Sequence, residues 1–234
     1  MIYEYTLYPL AILSLVFSVW AQIKVTSTFR KYSEHRTASG ESAARVARMI
    51  LDKNGLYSVR IERVGGNLTD HYDPRAGVLR LSDSVYDNSS AAAIGVAAHE
   101  AGHAVQHAVG YLPIKIRARL VPVTSFASRF SWIVIFLGML LLMLDPFLGY
   151  YTLLAGIGLF AVVTLFQLVT LPCEFDASKR AMQALRSSGR YMKNELVASR
   201  KVLTAAALTY VAALATSLIQ LLRLLVRLNN SKRR

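Results

Sequence analysis

A chain of 234 residues suits one domain, or a domain organised around membrane segments. Its 54% hydrophobic content and mean hydropathy of +0.37 exceed those of ordinary soluble domains. The net charge of +13 suggests nucleic acid, but the basic residues flank apolar blocks, so no nucleic-acid partner is expected; the single cysteine, Cys173, excludes an intramolecular disulfide and a Cys-rich zinc ribbon.

In chain order, residues 5–23 form an uncharged run preceded by Glu4 and by no Lys or Arg, with no small-x-small cleavage site. These features predict a retained membrane anchor. Residues 39–56 predict an amphipathic helix capped by Ser39 or Ser42, ended by Gly55, with Val46, Met49 and Ile50 on one face. The stretches 57–64 and 77–82 alternate as strands, and the intervening "GGNLTDHYDPRAG" is dense in turn-forming residues. Residues 87–110 read as one helix, capped by Ser89 or Ser90 and closed by Gly110. Residues 120–144, interrupted by Arg129, and the uncharged 146–173 predict a membrane hairpin broken at Asp145-Pro146. A further helix is expected to open past Pro172, over 171–185. Residues 202–222, rich in Ala and Thr, form the last apolar stretch, before a frayed tail "RLNNSKRR".

The expected fold class is a mainly α integral membrane protein, with three to four membrane helices and a small α+β zincin-like catalytic unit. Its parts are an anchor (1–23), a catalytic segment (24–119), a membrane hairpin (120–173), a helix and loop carrying the third ligand (174–201), and a C-terminal membrane helix with a basic tail (202–234). Fifteen basic residues lie between Lys24 and Arg129 and seven between Lys179 and Lys201, which places the catalytic segment on the cytoplasmic face of the cell membrane. Five basic residues after residue 222 contradict this bias if 202–222 crosses fully; a stretch that dips and returns is the alternative. Oligomeric state leaves no trace in the sequence.

The chemistry concentrates in "VAAHEAGHAVQHA" (96–108). His99 and His103, one helical turn apart, can ligate one zinc ion at about 2.0–2.1 Å. Glu100 points to a neighbouring direction, suited to take a proton from metal-bound water as general base. The small residues Ala97, Ala98, Ala101, Gly102 and Ala104 are expected to leave room for a substrate backbone. His107 lies about 12 Å along the helix axis from His99, too far to share its ion. Without a metal or partner, burying such an ionisable trio is costly. The third ligand must come from another element: Asp70, His71, Asp73, Cys173, Glu174 or Asp176. Glu174 is favoured, because two histidines and a glutamate are the common catalytic zinc set; the alternative is a carboxylate that merely stabilises the start of its own helix. In "TDHYDP", His71 or Tyr72 is a candidate for oxyanion stabilisation, with Tyr210 a second, against an ordinary tight turn. The strand "VLRLS" is a candidate sheet edge for adding an extended peptide, against plain core.

"LTDHYDP", "VLRLS", "VAAHEAGHAVQHAVGYLPIKIRARLVP", "LFQLVTLPCEFDASKRA" and "AAALTYVAA" together resemble the YugP-like family of membrane-anchored neutral zinc metallopeptidases, from near Ala21 to near Leu222. The H-E-x-x-H helix and the later E-x-x-A helix look more distantly like the membrane peptidases of the HtpX and CAAX-processing type. That resemblance implies Glu174 as third zinc ligand. It also implies an aspartate four positions later, where this chain has Ser178, so support for the histidines is expected from Asp70 or Asp73. The expected activity is a membrane-bound zinc endopeptidase with protein or peptide substrates and the bilayer as partner. The alternatives are a non-catalytic membrane scaffold with a structural or vestigial metal site, and a small transporter with a His/Glu proton relay.

Overall fold

The computed structural model describes residues 2–231, with side chains from Leu7 to Asn230. Six helices and three strands follow in the order α1 (Ile2–Ser33), α2 (Ala43–Lys53), β1 (Arg60–Val64), β2 (His71–Asp73), β3 (Val78–Ser82), α3 (Ala91–Ala108), α4 (Leu112–Leu141), α5 (Pro146–Ser187) and α6 (Lys193–Ser231). The chain is mainly helical with one small sheet, as expected. It divides into two compact units, to both of which α1, α4, α5 and α6 contribute.

One unit comprises residues 21–115 and 172–209. Helix α2 starts where Ser42 accepts a hydrogen bond from the Arg45 amide, and its apolar side, Val46, Ile50 and Leu51, is buried. Arg48 donates to Asp52 and to the carbonyls of Leu56 and Val59, tying the turn after α2 back onto the helix. The sheet has the order β1-β3-β2. Strands β1 and β3 run parallel, with Arg60 opposite Val78; β2 is antiparallel to β3, with Tyr72 opposite Leu79. The central position of β3 explains its apolar content: Val78, Leu79 and Leu81 are fully buried. The same position overturns its assignment as an edge; the edges are β1 and β2. Strand β2 lies inside the segment read as a turn. Its three polar residues are extended because they pair with β3, a tertiary effect that local propensity does not report.

Helix α3 begins with Ser90 accepting from the Ala93 amide. Ile94, Ala97, Ala98 and Ala101 pack with Leu79 and Leu81 of β3, Ala181 and Leu185 of α5, and Val202 of α6 in one core. The small residues around the two histidines are therefore core residues, and the expectation that they leave room for a substrate backbone is corrected: Ala97, Ala98 and Ala101 have no exposed surface.

At the start of α6 the buried Glu195 accepts from the Met192 amide at 2.7 Å and from the Ala38 amide at 2.7 Å. The first contact is half of a capping box; the second clamps the segment after α1. Glu195→Ala leaves two amide donors without acceptors. It is expected to destabilise this unit by about 1–3 kcal/mol, read as a lower midpoint in a thermal-unfolding assay.

The other unit comprises residues 1–20, 116–171 and 210–234. Its core gathers Ile135 of α4, Leu153, Ile157 and Phe160 of α5, and Leu224 and Leu228 of α6. Helices α4 and α5 approach backbone to backbone: a Cβ at Gly138 would stand 2.5 Å from the Leu153 nitrogen, and one at Gly156 2.7 Å from that of Ile135. Small residues at such seams are the usual means of close helix contact in lipid. Asp145 accepts from the Phe147 and Leu148 amides and so caps α5, with Pro146 in the first helical position. Ile12, Leu13, Ile133, Phe136 and Leu168 are exposed, apolar surface that suits hydrocarbon.

Helices α1, α4, α5 and α6 are each long and apolar enough to cross a membrane. One boundary differs from expectation, and one open alternative is decided. Helix α5 passes through Pro172 without ending, so no new helix opens there. A proline in a long apolar helix costs one backbone hydrogen bond, which neighbouring packing offsets. Helix α6 is unbroken from Lys193 to Ser231, so 202–222 does not dip and return. The part of the tail expected to fray that extends beyond residue 231 lies outside the described residues.

Candidate metal centre

His99 and His103 project from α3, one turn apart, towards α5. Their rings meet edge to face with centroids 4.7 Å apart. Both turn Nε2 towards one oxygen of Glu174: Oε2 lies 3.1 Å from His99 Nε2 and 3.6 Å from His103 Nε2. Ligand atoms around a tetrahedral zinc ion, at about 2.0–2.1 Å from it, stand about 3.3 Å from one another. The two separations bracket that value, and the donor set of two imidazoles and one carboxylate suits zinc, so His99, His103 and Glu174 could hold such an ion.

Glu174 sits in mid-helix, well inside α5, and is buried. It therefore has no helix N-terminus to stabilise, and that alternative falls. The other five candidates face elsewhere. Asp70 accepts from the amide and hydroxyl of Ser82, at 2.8 and 3.0 Å. Asp73 holds the following turn, accepting from the Arg75 and Ala76 amides. His71 is exposed, with Nδ1 at 2.8 Å from the Thr69 carbonyl and Nε2 near Arg80. Cys173 is fully buried. Asp176 is paired with Arg180. His107 lies outside the cluster, its ring in tilted contact with Tyr72. Tyr210 belongs to the other unit.

The outward-facing nitrogens are also occupied, by groups the sequence reading did not choose. His99 Nδ1 lies 3.1 Å from the Ser178 hydroxyl. His103 Nδ1 lies 2.9 Å from Gln106 Oε1, and the Gln106 amide donates to the Cys173 carbonyl and to Asp176. The expectation that Asp70 or Asp73 supports the histidines is thus corrected. Ser178 stands one helical turn beyond Glu174 on α5, and Gln106 three residues beyond His103 on α3, so each shares a helix face with a residue of the cluster. That periodicity was the available signal.

Glu100 is 9% exposed and forms no hydrogen bond with any described side chain or amide. Its charge reaches His103 and Asp70. Burial opposes a charge on His103, but the carboxylates of Glu174 and Glu100 outweigh it and raise its pKa. The field that holds a proton there also attracts a divalent cation. Asp70 is raised as well, by burial first and partly by Glu100, against the lowering hydrogen bonds from Ser82.

A buried carboxylate with no hydrogen-bond partner among the described residues, beside two imidazoles and a second carboxylate, is an arrangement found in metal-dependent hydrolases. Residues 7–229 match the profile of the family described as "Putative neutral zinc metallopeptidase". The chain belongs to this family. It is also 48% identical over 225 residues to "Putative membrane protease YugP" of Bacillus subtilis (strain 168), covering 95% of this chain and 96% of that protein. No solved structure matches. Membership agrees with the four apolar helices and with the His99, His103 and Glu174 cluster that could hold the metal.

Proposed function

We propose that this chain is a membrane-bound zinc endopeptidase in which His99, His103 and Glu174 hold the ion and Glu100 is the general base. The observation that carries the reading is the convergence of two Nε2 atoms on one Glu174 oxygen, at 3.1 and 3.6 Å, beside a Glu100 with no hydrogen-bond partner among the described residues. When bound, zinc supplies Lewis-acid chemistry, acidifying water and polarising a carbonyl. Glu100 takes the proton from the attacking water and passes it to the leaving amine. Ser178 and Gln106 keep the Nδ1 atoms of the histidines engaged, so that both Nε2 atoms stay directed inward.

The edge strand β2, which packs against α3, supports extended polypeptide as the substrate class. Such a chain adds to a free strand edge through backbone hydrogen bonds, whatever its side chains. The apolar helices support membrane or membrane-proximal proteins as targets. The basic residues between Lys24 and Arg129 and between Lys179 and Lys201 support a cytoplasmic catalytic face.

Elemental analysis of the purified protein, together with hydrolysis of a quenched fluorescent peptide, tests the metal assignment. The wild type is expected to carry one zinc and to cleave. His99→Ala is expected to lose both. Stoichiometric zinc retained in that variant contradicts the ligand set.

A further inference from the structure

We infer that Gln106 is a positioning residue that holds His103 in its ligating tautomer and ties that orientation to the backbone beside Glu174. The inference rests on the zinc-site reading above.

Gln106 has no exposed surface, and all three of its polar contacts are made within the protein. Its amide nitrogen lies 2.8 Å from the Cys173 carbonyl and 2.9 Å from Asp176 Oδ2. Both partners only accept, so that end of the side chain must be the NH2 group; the reverse orientation would set an oxygen against two oxygens. The end that meets His103 Nδ1, at 2.9 Å, is therefore the carbonyl oxygen, which only accepts. Nδ1 must then carry the hydrogen, and in the neutral ring Nε2 is left with a bare lone pair facing Glu174. One buried amide thus selects the form of His103 that can bind a cation.

The same amide couples the two ligand-bearing helices. Gln106 lies three residues after His103 on α3, and Cys173 directly precedes Glu174 on α5. Its second donor engages Asp176, whose charge is paired with Arg180 at 2.6 Å. Histidine ligands commonly donate to a carboxylate. Here a neutral amide stands between the histidine and the carboxylate. His103 gains a strong acceptor without a third negative charge next to Glu174 and Glu100.

The test measures zinc affinity of the full-length protein by competition with a chelator. The wild type is compared with Gln106→Met, which keeps length and removes every hydrogen bond of the side chain. Positioning of His103 predicts zinc affinity about 10- to 100-fold weaker in Gln106→Met, and a His103 ring in the zinc-loaded wild type that carries its hydrogen on Nδ1. Affinity unchanged in Gln106→Met overturns the inference. Should Gln106→Met not fold, the 15N resonances of the His103 ring in zinc-loaded wild type decide: hydrogen on Nδ1 is expected, and hydrogen on Nε2 overturns the proposal. A wild type that binds no zinc ends the peptidase reading instead, a result distinct from each of these.

Discussion

Glu100→Gln protein is expected to bind zinc as the wild type does and to cleave its peptides at least about 100-fold more slowly. An amide of the same shape cannot take a proton from water, and loss of a general base costs about 10²–10⁴-fold in turnover. Because Glu100 has no hydrogen-bond partner among the described residues, the exchange leaves the fold and the ligand geometry in place. Parallel zinc stoichiometry and initial rates on a quenched peptide read the result. Equal rates in the two proteins end the assignment of Glu100 as base. The variant is also expected to retain bound polypeptide, from which substrates can be recovered and identified by mass spectrometry.

Gly102→Ala is expected to disassemble the site without touching a ligand. A Cβ at Gly102 would stand 2.7 Å from the Ala177 carbonyl oxygen and 3.3 Å from the Ala177 Cα. The obstacle is backbone, which cannot rotate away, so α5 must move off α3. Ala177 lies one helical turn from Glu174, and the carboxylate moves with it. Overpacking of this kind costs about 1–3 kcal/mol, and a misplacement of about 1 Å at reacting groups costs roughly 100-fold in rate. Zinc affinity at least tenfold weaker and turnover about 100-fold lower are the expected readings. Gly158→Ala, where a Cβ meets nothing within 4 Å, is the matched control and should be silent. Wild-type zinc affinity in Gly102→Ala would show that α5 does not need this close approach.

Much of this was legible in one dimension because it depends on local spacing. The four-residue interval between His99 and His103 sets two imidazoles on one face of any helix, and Glu100 on an adjoining one, whatever the rest of the chain does. The apolar blocks, the caps at Ser42 and Ser90, and the alternation in β3 are equally local. The reading failed where partners distant in sequence decide. Strand β2 exists because Tyr72 and its neighbours pair with β3. Pro172 does not end α5, which runs on through it from Pro146 to Ser187. Ala97, Ala98 and Ala101, read as clearance for a substrate, are small because other elements press on them. Asp70, a reasonable support for the histidines by residue type, is committed to Ser82.

What the amino-acid order alone determined is the chemistry on offer: a two-histidine face with a glutamate beside it, carried by a chain greasy enough for a bilayer. Only the tertiary structure decided which carboxylate, of four within reach by sequence argument, closes on that face, and which groups hold the outer nitrogens. The physical reason is one of range. A helix dictates neighbours within about a turn, whereas 71 residues separate His103 from Glu174, and their meeting depends on the backbone contact between Gly102 and Ala177 that allows α3 and α5 to touch.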